Sequence, residues 1–368
     1  MREPRTSRSA TRAGDAILVT GATGRIGANL CRTLLSRGYR VRAVVLPGDP
    51  GLAKLAGLDL EIMEADLRDA AAVASACSDV DAICHLAALI GGPDTVGMAV
   101  TDYWHANVDA TLHVLEGARR NGRLVKLVFA SSDATYPTSN PRYSPVDECH
   151  PQDPVNLYGL TKVVGERMCR DYATEFALPA TVVRYGGVST PDERASVEGA
   201  SPNAHATRLR EAKRSHDNYL WANVRDHERP WEYLEPLVED DDRLIALTDQ
   251  EGRPWQTHST DVRDAVQGTV LALECAAAVG EAFNIHGPAP VSSVELVRYL
   301  AERFSLPWRT AAVPFRQAVE VSTAKARAIL GYRPVYDIFR TIDDGLAMQA
   351  GVEIGVVPAK LPIVRSPG

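Results

Sequence analysis

DAILVTGATGRIG, residues 15–27, runs from an apolar strand straight into glycines at 21, 24 and 27 and then into a helical pattern. The first glycine permits a tight turn after the strand, and the second lets backbone N–H groups approach a pyrophosphate. The third lets helix and strand pack closely, with the phosphates at the positive end of the helix. Glycine-rich turns are common, so the context carries the reading. Ile26, Leu30 and Leu34 recur at four-residue spacing and give the helix an apolar stripe to lay on a sheet.

Outward from this turn, residues 41–46, 60–64, 82–86, 124–130, 181–185 and 282–286 read as short buried strands. Helical patterns fall at 69–77, 98–120, 156–177, 261–277, 292–304, 322–330 and 340–349. Alternation of this kind joins parallel strands by crossovers and covers the sheet on both faces, which makes the expected fold α/β, a doubly wound parallel sheet. The pattern breaks after Val188. Residues 189–257 are polar, carry Trp221, Trp231 and Trp255, and suggest a smaller lobe that closes over a ligand. The expected division is a flexible tail at 1–14, a nucleotide-binding domain at 15–188 with 258–286 returning to it, a lobe from 189–257 and 287–350, and a C-terminal tail at 351–368.

A chain of 368 residues can bury a large core, and 45% hydrophobic with 24% charged residues is ordinary for a globular protein. The net charge of -7 argues against nucleic acid or an acidic membrane as the main partner. No apolar run approaches the roughly 20 residues that span a bilayer. Six scattered cysteines without a CxxC pair fit a reduced, cytoplasmic protein with no metal site.

Tyr158 and Lys162 stand four apart in PVNLYGLTKVVGE and share one helix face. The alternative for such a pair is a solvated helix surface. Ser131 and Ser132 follow the apolar strand LVKLVFA, which brings a hydroxyl to the same strand end. A nearby ammonium favours a phenolate and lowers the tyrosine pKa from about 10 toward working pH, so the phenol can serve as general base or acid.

With these residues in view the chain resembles the extended short-chain dehydrogenase/reductases, in particular the NAD-dependent epimerase/dehydratase family, over about residues 15–350. The resemblance rests on TGATGRIG (20–27), EADLRD (64–69), HLAA (85–88), Asn107, FASSDATY (129–136), ECHPQDPVNLYGLTK (148–162), HSTDV (258–262), FNI (283–285) and LGYRP (330–334). It implies a Rossmann-type sheet with a smaller C-terminal substrate-binding lobe. It also implies that Gly21, Gly24 and Gly27 hold the pyrophosphate, that Asp66 and Leu67 meet the adenine, and that Leu86, Ala87 and Ala88 line the way to the nicotinamide ribose. Thr23, Arg25, Ile26 and Tyr185 complete the coenzyme set. Lys162 would hold the ribose hydroxyls while tuning Tyr158, with Ser132 as the active-site hydroxyl. Asn107 reads as structural. A homodimer through the helices near 98–120 and 156–177 is implied as well.

The chain departs from the family in specific places. Sugar dehydratases carry Thr-Asp-Glu where this chain has Ser132-Asp133-Ala134, so the glutamate base is missing and simple 4,6-dehydration is disfavoured. Asp133 is an additional acid or a turn residue. Gly186-Gly187 replaces a customary asparagine, and Pro254 stands where the family's sugar-diphosphate arginine belongs, with Arg253 one place off. Coenzyme choice leans to NAD, with NADP possible: Leu46 is uninformative, Asp49 favours NAD, and Arg25 could meet a 2′-phosphate. Arg208, Arg210, Lys213 and Arg214 could grip an anion or form a solvated helix beside Glu211 and Asp217. The leading expectation is an NAD-dependent epimerase acting on a sugar, a nucleotide sugar above all, through a transient ketone. The alternatives are an NADP(H)-dependent reductase or dehydrogenase of a carbonyl or alcohol, and a dinucleotide-sensing regulator without catalysis.

Overall fold

The computed structural model describes residues 10–215, 220–238 and 243–360; residues 1–9 and 361–368 of the two expected tails, and Asp217, lie outside the described residues. The strands that matter for the site are β1 (Ala16–Thr20), β2 (Arg40–Val45), β3 (Glu61–Glu64), β4 (Ala82–His85), β5 (Lys126–Ser132), β6 (Ala180–Tyr185), β7 (Leu244–Thr248), β8 (Ala282–Ile285) and β9 (Trp308–Ala312). The main helices are α1 (Arg25–Ser36), α2 (Ala70–Ala76), α3 (Ala110–Arg120), α4 (Leu157–Phe176), α5 (Pro202–Arg214), α6 (Val262–Glu274), α7 (Ser293–Phe304), α8 (Ala324–Leu330) and α9 (Ile338–Gln349).

Seven strands form one sheet in the order β8-β6-β5-β4-β1-β2-β3, and every pairing in it is parallel. Alternate side chains of a strand point to opposite faces, and β1 shows the consequence. Ile17 and Val19 pack with Leu30, Leu34, Val266 and Val270 under α1 and α6. Leu18 packs on the other face with Ile83, Val114 and Leu115 under α2 and α3. Phe129 of β5 lies on that second face beneath α4, where Gly165 leaves room for it: a Cβ there would come within 2.4 Å of the ring. The order reverses between β1 and β4, so a crevice opens beyond their carboxyl ends.

The polar stretch after Val188 contains a strand that its composition conceals. β7 is fully buried and pairs in parallel with β9, and Ile245, Leu247, Leu209, Leu234, Trp255 and Val313 form a core of their own. A second cluster of this region joins Ala246, Val297, Leu300, Ile338 and Ile342.

Three boundaries differ from the sequence expectation. Thr11 is buried and its hydroxyl donates to the Leu273 carbonyl at 3.3 Å, so this residue of the expected tail packs on the sheet domain. At the other end Val356 joins the core under α1, with the Val357 N–H donating to Asn29 Oδ1 at 2.8 Å. Ala326 and Leu330 of α8 belong to the sheet core as well, not to the lobe.

Candidate active site

The crevice is a cavity of about 610 Å³ along the ends of β1 to β6. Its wall brings together Gly21, Thr23, Gly24, Arg25, Ile26, Gly27, Asp66, Leu67, Leu86, Ala87, Ala88, Ser132, Tyr158, Lys162 and Tyr185. These come from turns far apart in the chain, and they include every residue the sequence reading assigned to the coenzyme.

At one end the glycine turn forms a cradle that side chains would fill. Gly21 has φ +65, and a Cβ on it would meet the Ala87 nitrogen at 2.8 Å; a Cβ on Gly27 would meet the Gly21 oxygen at 2.1 Å. Gly24 is the N-cap of α1 and has no side chain to satisfy the first N–H groups of the helix, and residues 24–27 line the cavity. This is the donor set that a pyrophosphate requires.

Behind the cradle a chain of hydrogen bonds holds the opposite wall. The Ala87 N–H donates to Thr20 Oγ1 at 3.2 Å, and that hydroxyl meets His85 Nδ1 at 2.7 Å. Burial, aided by the Lys162 charge, pushes His85 down to about 3, so the ring is neutral. Its Nε2–H then faces Thr111 Oγ1 at 3.1 Å, and Thr111 donates to the Asn107 carbonyl. Asn107 accepts from the Leu89 N–H at 2.8 Å and donates to the Leu89 carbonyl at 3.0 Å, the structural role its sequence position suggested. It sits in a π-helical turn, His105–Asp109, inserted in the stretch expected as one continuous helix.

At the far end, β5 delivers Ser132 and α4 delivers Tyr158 and Lys162. The serine hydroxyl is within hydrogen-bonding reach of the phenol. Below them a buried network locks the strand ends: Arg184 donates to both oxygens of Glu166 at 2.9 and 2.7 Å, Ser131 donates to the same carboxylate, and Gln152 adds a third donor.

The expected activation of the tyrosine requires a correction. Burial raises the Tyr158 phenol above its ordinary value, the Ser132 hydrogen bond offsets part of this, and the Asp133 charge adds to the rise. Lys162 Nζ donates to the Ala130 carbonyl at 2.7 Å, and burial pushes the lysine down to about 8. Its field is thus spent on a carbonyl and its own charge is disfavoured, so proximity along a helix face does not by itself make the phenol acidic.

Arg25 also differs from expectation. It reaches the cavity, but its guanidinium forms a two-pronged ion pair with Glu193, 168 positions away, instead of standing open to a 2′-phosphate. Asp49 borders the same end and accepts from Thr23 Oγ1 at 2.6 Å and from the Gly51 N–H at 2.7 Å. Arg68 straddles Asp66 and holds its carboxyl below the usual range. Asp133 does not line the cavity; it turns toward β8, with Oδ2 3.9 Å from His286 Nε2. Sequence reasoning missed Glu193 as well as the apolar wall of Leu89, Ile90 and Met98, for which no local pattern gave a signal.

A strand-turn-helix cradle coupled to a Ser, Tyr and Lys constellation defines a dinucleotide-dependent enzyme of the short-chain dehydrogenase/reductase class. Residues 17–285 match the model of the NAD dependent epimerase/dehydratase family, and the chain belongs to that family. It is 28% identical over 346 residues to a UDP-glucose 4-epimerase of Corynebacterium glutamicum, a match covering 89% of this chain and 93% of the relative. Among solved structures it is similar to a short-chain dehydrogenase/reductase superfamily protein from Agrobacterium tumefaciens with bound NAD, at 26% identity and a TM-score of 0.75, covering 92% of this chain and 100% of that one. It shares the fold of a UDP-glucuronic acid 4-epimerase from Bacillus cereus in complex with NAD, at 23% identity and a TM-score of 0.64, over 91% of this chain and 99% of the other.

Proposed function

We propose that this chain is an NAD-dependent epimerase that inverts a carbinol centre of a nucleotide sugar. The observation that carries the reading is the convergence of Ser132, Tyr158 and Lys162 on the cavity that also holds the glycine cradle. When bound, NAD supplies a hydride acceptor and donor. Tyr158 takes the proton of a ring hydroxyl as that carbon is oxidised, and returns it after the transient ketone has presented its other face. Ser132 holds the reacting oxygen, and Lys162 holds ribose hydroxyls. Gly21, Gly24 and Gly27 keep the pyrophosphate at the start of α1, with Asp66 and Leu67 toward the adenine. The names of the relatives, UDP-sugar 4-epimerases, support a UDP-sugar as substrate.

A cytoplasmic location and a homodimer belong to the same proposal. Leu112 on α3 and Leu160 on α4 are both substantially exposed, which supports pairing through these helices. Sedimentation equilibrium distinguishes a dimer from a monomer. Among the described residues no helix is long and apolar enough to cross a membrane.

One observation favours a second reading, a net reductase. Arg253, the nearest arginine to the family's diphosphate position, is turned into its own hairpin against Asp249 and Glu251. The deciding experiment incubates the purified protein with UDP-glucose or UDP-galactose without added coenzyme. Interconversion with NAD released on denaturation is expected; stoichiometric consumption of NADPH by a carbonyl compound would assign the second reading instead.

A further inference from the structure

His286 follows β8, and its ring is fully buried, with no hydrogen bond of ordinary geometry at either nitrogen among the described residues. A buried polar group of this kind costs free energy unless another state of the protein supplies its partner. Space for the ring comes from β6. Gly186 carries no side chain, and a Cβ there would fall 1.8 Å from the imidazole. The histidine and the glycine are therefore complementary, and both lie at strand ends next to the catalytic serine.

The groups facing the ring define what it can do. His258 packs against it with ring centroids 4.9 Å apart. That neighbour is already committed: its Nδ1 accepts from the Val321 N–H at 3.2 Å, which leaves its Nε2–H to donate to the Gly287 carbonyl at 3.1 Å. The Tyr332 hydroxyl donates to the His286 backbone carbonyl, not to the ring. Burial, with the His258 charge as a smaller cause, holds His286 in its neutral form, and the His258 backbone carbonyl favours a hydrogen on the nitrogen it meets. Assigning that hydrogen to Nδ1 leaves Nε2 as an acceptor without a partner, and Asp133 Oδ2 stands 3.9 Å from it, just beyond hydrogen-bond distance in this arrangement.

Asp133 in turn touches the catalytic hydroxyl. Ser132 Oγ donates to Asp133 Oδ1 at 3.2 Å, yet the same hydroxyl is the one that reaches Tyr158. A serine has a single hydrogen, so the carboxylate and the tyrosine side of the site compete for it. We propose that His286 is a positioning residue for the acid/base step: it accepts a hydrogen bond from the protonated Asp133 carboxyl, favours that neutral form, and so releases the Ser132 hydroxyl to the reacting oxygen of the substrate. The inference rests on the acid/base reading of Ser132 and Tyr158 above. Desolvation acts in the same direction, since the partly buried Asp133 is pushed up to about 6 while the Ser132 and backbone hydrogen bonds pull it down only in part, and the neutral carboxyl prevails below that pH. Three charged or titratable groups surround the carboxyl, namely His286 after β8, Tyr158 on α4, and His258 behind the imidazole. Neither the neutral His286 nor the Tyr158 phenol is a cation that would stabilise its ionised form.

The test is a carboxyl-carbon NMR titration of the NAD-loaded protein labelled at aspartate, with the Asp133 resonance assigned from Asp133→Asn. His286→Phe keeps a ring of similar size but removes the acceptor, and should lower the Asp133 midpoint by about one pH unit, a tenfold loss of proton affinity. His286→Gln restores an acceptor and should recover at least half of that shift. An unchanged midpoint in folded His286→Phe overturns the proposal. Should the phenylalanine variant not fold, nitrogen NMR of the wild-type imidazole decides: the His286 Nε2 resonance must move through the Asp133 midpoint, and a resonance that stays fixed there refutes the coupling. In turnover, the alkaline loss of kcat should begin about one unit lower in His286→Phe with KM unchanged. Because the titrations need no substrate, a protein that fails to interconvert UDP-sugars while Asp133 and His286 remain coupled counts against the epimerase reading alone.

Discussion

Tyr158 and Lys162 stand on one face of α4, yet the Lys162 ammonium bonds the Ala130 carbonyl at 2.7 Å and lies 5.8 Å from the centre of the tyrosine ring. The pair is thus assembled but not activated in this arrangement, because burial opposes the charge on both groups. Removal of water from the cavity would raise the phenol further, so activation depends on charge and hydrogen bonds supplied by what the cavity binds.

Replacement of Tyr158 by Phe removes the proposed proton acceptor and leaves the ring in place. The expected loss in kcat is about 10²- to 10⁴-fold, the usual range for a general acid/base. Retained coenzyme, measured as NAD released per chain on denaturation, should stay near the wild-type amount. Turnover within a factor of a few of wild type would remove Tyr158 from the mechanism.

Lys162 makes a prediction about stability. Burial lowers it from an ordinary 10.5 to about 8, so between these values the unfolded chain binds more protons and stability from this residue rises with pH. Below pH 8 the buried ammonium costs on the order of 3 kcal/mol. In Lys162→Met that cost is gone, and the melting temperature relative to wild type should be more favourable at pH 7 than at pH 10. Activity should fall even where stability gains. An offset that does not change between the two pH values would contradict the depressed lysine.

The Arg25 and Glu193 pair joins the glycine turn to the segment after β6, with side chains 33% and 22% exposed. Pairs open to this degree contribute about 1 kcal/mol or less, so Glu193→Gln should barely alter the melting temperature. It should, however, release Arg25 toward the cavity. The expected result is a several-fold gain in NADP affinity relative to NAD, measured by calorimetry, and an unchanged ratio would show that Arg25 has no access to the 2′ position.

Arg184 and Glu166 are 4% and 2% exposed and carry the network under Ser131. Removing one partner of a buried pair leaves an uncompensated charge, at a cost of about 3–5 kcal/mol. Glu166→Ala should therefore lower the melting temperature far more than Glu193→Gln. Similar melting temperatures for the two variants would mean the buried pair is not intact in solution.

Periodicity and composition were enough for the α/β class, the parallel sheet and the positions of its strands, because a strand buried on both faces must be short and apolar and its crossover helix must carry a stripe. DAILVTGATGRIG and YGLTK could be read for the same reason: a tight turn needs glycine at particular places, and a shared helix face needs a spacing of four. Local patterns failed wherever the energy lies in contacts between distant segments. β7 is a short apolar run lost among polar neighbours, and its burial shows only once Leu209 and Leu234 of the same stretch and Val313 beyond it close a core around it. Thr11 and Val356 looked like tail residues until the partners that bury them were in place.

The same limit applies to the chemistry. Residue types and spacing singled out Ser132, Tyr158 and Lys162 as candidates, and the fold brings them to one cavity, but the state of each group depends on what surrounds it in three dimensions. Folding turned Lys162 toward Ala130, took Arg25 away to Glu193, and set Asp133 beside a histidine 153 positions further along the chain. Burial and hydrogen-bond partners set protonation and donor direction, and neither is encoded in the few residues around a motif.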